Sequence, residues 1–226
     1  TADTATTTAD TATTTADTVT DTTATTATAA NTTPVAATLA QLSTPHETAA
    51  VSATAAGVVL TLNGDAITVE GAGVTVEGST ATIAAGGVYT LRGVLADGQV
   101  VVDTKDEAAV TLILDGVELH NSSSAPLFVS DAAQVVIVLA DGTQNTIIDA
   151  TTYVFPNPEE DEPNAALFSK ADLTITGAGA LTVQGNYNDG IASKDGLVIE
   201  SGTLTVNAVD DGIRGKDYLV IKDGAL

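Results

Sequence analysis

Short runs in which Val, Ile or Leu alternates with a polar side chain recur along most of the chain, and none shows the 3.6-residue period of an amphipathic helix. The alternation predicts strands near residues 58–62, 74–76, 88–91, 100–102, 110–114, 135–138, 173–175, 197–199, 203–206 and 219–221, with turns at Gly, Asn and Asp between them. Near the C-terminus the pattern repeats almost word for word. Asp189-Gly190-Ile191-Ala192-Ser193-Lys194-Asp195-Gly196-Leu197-Val198-Ile199 returns 22 residues later as Asp211-Gly212-Ile213-Arg214-Gly215-Lys216-Asp217-Tyr218-Leu219-Val220-Ile221. One such unit has too few apolar side chains to bury a core of its own, so units must stack. A period of this length with two or three short strands suits one coil of a parallel β-helix, successive coils lying about 4.8 Å apart.

Upstream the same grammar drifts. Ser169-Lys170-Ala171-Asp172-Leu173-Thr174-Ile175 precedes Ser193-Lys194-Asp195-Gly196-Leu197-Val198-Ile199 by 24 residues, and Leu181 precedes Leu204 by 23. Pro126-Leu127-Phe128 followed by the 135–138 run echoes Ala166-Leu167-Phe168 followed by the 173–175 run, and Phe128 and Phe168 are expected to fill the core. Between these echoes lies an acidic, Pro-bearing stretch, residues 153–163, that reads as a loop bulging from a corner. The expected organisation is a Thr/Ala-rich stalk or assembly segment over residues 1–56 and an all-β, right-handed parallel β-helix over 57–226, with 57–85 as a cap or separate sandwich. The last coil stops short, so the chain is expected to continue past Leu226 in a longer protein or to be covered there by another subunit.

Charge narrows the partners. Seven basic against 29 acidic residues give a net charge of −22, which disfavours nucleic acid and anionic membrane surfaces and favours divalent cations. No stretch of 18 apolar residues supports a membrane span. The absence of an initiating Met points to a removed signal segment or a fragment, hence to an extracellular or cell-surface destination. With no Cys, disulfides cannot staple the fold. The first 30 residues contain only Thr, Ala, Asp and one Val, and a seven-residue repeat brings Asp3, Asp10 and Asp17 into register without the large apolar residues of a coiled coil. Such a tract reads as a solvated stalk or, given the β propensity of Thr, as a strand that pairs with a neighbouring subunit.

Stacking also juxtaposes charge. Residues one period apart lie above each other, which places Asp189 near Asp211, Asp195 near Asp217 and Asn188 near Asp210. Carboxylates at strand spacing repel unless cations lie between them. Calcium suits this all-oxygen set, whereas zinc would want Cys or His. The candidate ligands are Asn186, Asn188, Asp189, Asp210 and Asp211, followed by Asp195 and Asp217. The alternative is a metal-free Asp-Gly corner in which Lys194 or Lys216 pairs with the same aspartates.

From about Gly87 onward the strings VTLILDGVELHNSSSAPLFV, VVIVLADGTQNTI, NDGIASKDGLVI and DDGIRGKDYLVIKDG resemble the bacterial carbohydrate-binding family of calcium-containing, right-handed parallel β-helices related in shape to pectate lyases. That resemblance implies an extracellular protein that binds acidic plant polysaccharide, polygalacturonate in particular, and cellulose. With no Trp, four Tyr and three Phe, a flat aromatic platform for neutral glycan is not expected. Tyr187 and Tyr218 flank the acidic corners and are candidates for stacking on sugar, while Lys194, Arg214 and Lys216 are candidates for direct carboxylate contacts. The leading function is a secreted, noncatalytic protein that holds acidic polysaccharide through calcium. A structural subunit of a surface fibre, self-associating through stacked helices and the N-terminal segment, is the alternative. Polysaccharide lyase is third, resting on Arg214 beside Asp211, and no catalytic residue is assigned.

Overall fold

Residues 57–226 are described by a computed structural model; the Thr/Ala-rich segment, residues 1–56, lies outside the described residues. The described part is all-β and contains no helix. It opens with two antiparallel hairpins, β1 (Val58–Gly64) with β2 (Ala66–Glu70) and β3 (Val74–Glu77) with β4 (Thr80–Ile83). There follow β5 (Gly87–Leu95), β6 (Gln99–Asp103), β7 (Val110–His120), β8 (Leu127–Asp131), β9 (Val135–Leu139) and β10 (Gln144–Ile148). After the Pro-bearing segment come β11 (Ala165–Ser169), β12 (Leu173–Gly177), β13 (Ala180–Gly185), β14 (Asp189–Ser193), β15 (Gly196–Ile199), β16 (Thr203–Ala208), β17 (Ile213–Gly215) and β18 (Tyr218–Ile221).

Outside the two hairpins every strand pairing is parallel, and each strand pairs with its counterpart in the neighbouring repeat. One ladder runs β6-β8-β11-β14-β17, a second β7-β9-β12-β15-β18, a third β7-β10-β13-β16. The registers stack like on like: Leu127 on Leu167 on Ile191 on Ile213, Leu173 on Leu197 on Leu219, and Leu181 on Leu204. Inward-facing members of these rows form the main core; Leu127, Leu167, Ile191, Leu197 and Ile199 are fully buried. Parallel pairing extends back to β1 on β5 and β4 on β6, so the two hairpins are joined to the ladders edge to edge.

The second and third ladders diverge at β7. Its first half pairs with β9 and its second half with β10, and between them Asp115-Gly116 bends the strand, Gly116 taking φ +69°. Across the bend the pairing with β5 slips register. Asn145, 2% exposed, repairs the break: its Oδ1 accepts the Val117 N–H at 3.0 Å, and its Nδ2 donates to the Ala180 carbonyl at 3.0 Å and to Thr143 Oγ1. A side-chain amide suits the position because it offers two N–H donors beside an acceptor oxygen, whereas a hydroxyl has a single donor.

The aromatic residues correct the expectation that Phe128 and Phe168 fill the main core. Leu127 and Val129 point inward, so Phe128, between them, faces out, as does Phe168 in the same register. Phe168 is buried all the same, against Phe128, Ala165 and Ala192. Beside this pair the Pro-bearing segment does not bulge away throughout. Tyr153 is buried, with its ring 4.1 Å from and nearly parallel to that of Tyr187, and its hydroxyl donates to Asp149 Oδ2 at 2.7 Å.

Asn145→Leu is expected to destabilise the protein by about 2–4 kcal/mol, because the Val117 N–H and the Ala180 carbonyl lose a buried partner. Urea denaturation of the variant checks this; a loss below about 1 kcal/mol would show that another group takes over.

Candidate metal-binding corner

The ladder formed by β11, β14 and β17 has a charged corner at each end. At the entry corner, the register Ile191 on Ile213 places Asp189 over Asp211 and Asn188 over Asp210. Gly190 lets the chains close there: its N–H donates to the Asp211 carbonyl at 2.9 Å, and a Cβ on it would fall 2.3 Å from Val206 Cγ1. One carboxylate oxygen from each of Asp189, Asp210 and Asp211 lies within 4.8 Å of the other two. Asp189 is completely buried, while Asp210 and Asp211 are exposed. Its Oδ1 accepts from Asn188 Nδ2 at 3.0 Å and from the Asp211 N–H at 3.2 Å.

Asp189 Oδ2 makes no hydrogen bond, although Arg214 Nη2 lies 2.7 Å away as an ion-pair partner. The same guanidinium is 4.0 Å from Asp211 Oδ2. One cation therefore pairs with two members of a group of three carboxylates. Burial pushes the Asp189 carboxyl above the usual carboxylate range; Arg214 and the Asp211 N–H oppose this, and the charges of Asp211 and Asp210 add to it. A second oxygen without a hydrogen bond, Asn164 Oδ1, is buried on the adjoining rung, where the Asn164 carbonyl accepts the Asp189 N–H at 3.1 Å. Asn164 escaped the sequence reading, although it stands 24 residues before Asn188, the offset that separates Lys170 from Lys194.

The other predicted ligands lie elsewhere. Asn186 is tied to Asp149, donating its backbone N–H to Oδ1 at 2.5 Å and its Nδ2 to the Asp149 carbonyl at 2.9 Å. Asp195 and Asp217 lie at the exit corner, beyond the far ends of β14 and β17. There burial raises the Asp195 carboxyl, Asp172 and Asp217 raise it further, and Lys216 opposes them. Asp172 accepts from the Gly196 N–H at 2.9 Å and from the Tyr218 hydroxyl at 3.3 Å.

Nor do the five predicted sugar-contact residues form one patch. One face of Tyr187 is covered by Tyr153. Tyr218 lies across Gly196 so closely that a Cβ there would fall 2.0 Å from its ring, the tyrosine filling the space a side chain would take. Arg214 turns to Asp189, and Lys194 and Lys216 line the exit corner.

The described residues form an all-β stack of parallel repeats with an acidic corner. Residues 77–226 match the family described as carbohydrate-binding domain-containing protein, and the chain belongs to that family. A carbohydrate-binding domain-containing protein of Acetivibrio thermocellus is 44% identical over 126 residues, 56% of this chain and 44% of its own length. The chain thus spans less than half the length of that relative. The solved structure of the polysaccharide lyase-like protein from C. thermocellum, a gadolinium derivative, has a TM-score of 0.68 and 32% identity, covering 74% of this chain and 79% of that one.

Arg214→Gln leaves the buried Asp189 carboxylate without its counterion and, in chelator, is expected to cost about 1–3 kcal/mol, less than for a fully buried pair because Arg214 is partly solvated. Adding Asp189→Asn should recover most of the loss. Because folding raises the Asp189 pKa, the stability this group contributes is present at low pH and declines as pH rises from about 3.9 through its folded value. Denaturation midpoints across that range check the sign, and Asp189→Asn should flatten the slope.

Proposed function

We propose that this chain is a secreted or cell-surface, noncatalytic module that holds acidic polysaccharide, polygalacturonate-like, through calcium on a right-handed parallel β-helix. The observation that carries the reading is the Asp189 carboxylate: fully buried, one oxygen without a hydrogen bond, and grouped with Asp210 and Asp211 within 4.8 Å. Buried charge without full compensation is costly, and such a group fits a bound cation. The donors are all oxygen, the chemistry calcium prefers. Asp189, Asp210 and Asp211 would hold the ion, with the Asn164 and Asn188 side-chain oxygens as further donors.

Bound calcium would supply positive charge that both protein carboxylates and uronate carboxylates can share. The exposed Asp210 and Asp211 face solvent, where a uronate can approach, while Asp189 anchors from within. Arg214 competes with the ion for Asp189 Oδ2 and, once released, is free to pair with a sugar carboxylate. The three parallel ladders, with each repeat in register on the next, support the β-helix. Family membership supports a glycan partner. The lyase reading is weaker, because Arg214 is engaged with a buried carboxylate instead of standing free beside Asp211.

Retention on insoluble polygalacturonate, with calcium and then with chelator, tests the proposal. The wild-type chain should be retained only with calcium, and Asp189→Asn should weaken retention at least tenfold. Retention that survives chelation, or none in either condition, would overturn it. Ultraviolet absorbance from unsaturated uronate products would instead establish a lyase.

A further inference from the structure

The exit corner carries a second, opposite feature. Ser169 pairs with Ser193 and Ser193 with Gly215, so the residues that follow, Lys170, Lys194 and Lys216, form a row of three lysines about 4.8 Å apart. The chain has only seven basic residues, so three in consecutive rungs is a feature of position and not of abundance. Like charges at this spacing repel unless an anion lies between them.

A carboxylate already sits there. Glu162, from the acidic segment between β10 and β11, pairs through Oε1 with Lys194 and through Oε2 with Lys170 at 3.4 Å. Burial pushes the Glu162 carboxyl upward, but the two lysines prevail and hold it below its usual range, so it stays ionised. Lys170 also lies over the Phe128 ring, 5.9 Å from its centroid. The segment that delivers Glu162 is anchored at Tyr153 and at the buried Pro163, and residues 156–161 between them are exposed. Lys216 is exposed, stands outside the two Glu162 ion pairs, and acts through its charge on Asp195.

We propose that Lys170, Lys194 and Lys216 form a carboxylate-binding row for an acidic polysaccharide lying along the stack, and that Glu162 covers its first two rungs as an internal competitor. The inference rests on the polyuronate reading above. A polyuronate carries one carboxylate per sugar and can meet successive rungs, whereas a neutral glycan offers nothing to them. Asp172, Asp195 and Asp217 flank the row and repel any polyanion, a densely charged polyphosphate more strongly than a polyuronate with one charge per sugar.

The test compares the whole chain with Glu162→Gln for binding of soluble oligogalacturonate by calorimetry, in calcium. Glu162→Gln should bind roughly two- to fivefold more tightly, the factor corresponding to an exposed ion pair. The gain should vanish when Lys170→Gln and Lys194→Gln are added. Lys216→Gln, which touches neither Glu162 nor the core, should weaken wild-type binding by a similar factor. Wild-type-like affinity in both Glu162→Gln and Lys216→Gln, with calcium-dependent binding intact, would overturn the row alone. No oligogalacturonate binding by any variant would overturn the row and the polyuronate reading together.

Discussion

Parallel pairing between successive repeats is the constraint on which the rest of this molecule depends. Each strand is hydrogen-bonded to its counterpart one repeat away, so whatever occupies a position in one repeat is held about 4.8 Å from whatever occupies it in the next. For apolar residues this is favourable: Leu173 on Leu197 and Leu181 on Leu204 bury each other along the row. For charged residues it is unfavourable, and each charged row must recruit an opposite charge. At the entry corner Asp189 and Asp211 have Arg214, and at the exit corner Lys170 and Lys194 have Glu162.

Irregular pieces carry the tasks that repetition cannot. The bend of β7 at Gly116 separates two ladders and would strand a backbone N–H, were it not for the amide of Asn145. The segment between β10 and β11 returns to the outer face, where Tyr153 covers Tyr187 and closes on Asp149. The result is a small aromatic cluster outside the main core, with Phe128 and Phe155 packed against it. The segment's Glu162 is thereby brought to the lysine row, which the folded repeats alone could not arrange.

What was legible in the sequence follows this division. Contacts that repeat could be read from the period: the 22-residue offset sets Asp189 beside Asp211 and Asn188 beside Asp210, and the Asp211 N–H donates to Asp189 Oδ1 while the Asp210 N–H donates to the Asn188 carbonyl. Contacts that do not repeat were invisible. Asn186 lies within the repeating region but bonds to Asp149, in a segment of different length, and no offset links the two. Asp195 and Asp217, the second-ranked candidate ligands, stand at the corner opposite Asp189 for a related reason. The period stacks residues along the axis but says nothing about which end of a short strand they occupy, and β14 separates the two corners. Phe128 and Phe168 were misplaced because an apolar side chain in an alternating run was assumed to face inward, and the loop that covers them on the outside has no repeat signature.

A net charge of −22 argues against an anionic ligand only if charge acts as an average. At physiological ionic strength the field of a surface charge fades over about 8 Å, so a ligand that lies along the stack responds to the row beneath it more than to distant acids. The two corners of the β11-β14-β17 ladder differ in this respect. One gathers carboxylates around a buried Asp189 and calls for a cation; the other aligns three lysines and already accepts a carboxylate from the chain itself. Both arrangements come from the same register, so a short acidic stack of parallel strands can align carboxylates at one corner and lysines at the other without departing from its repeat.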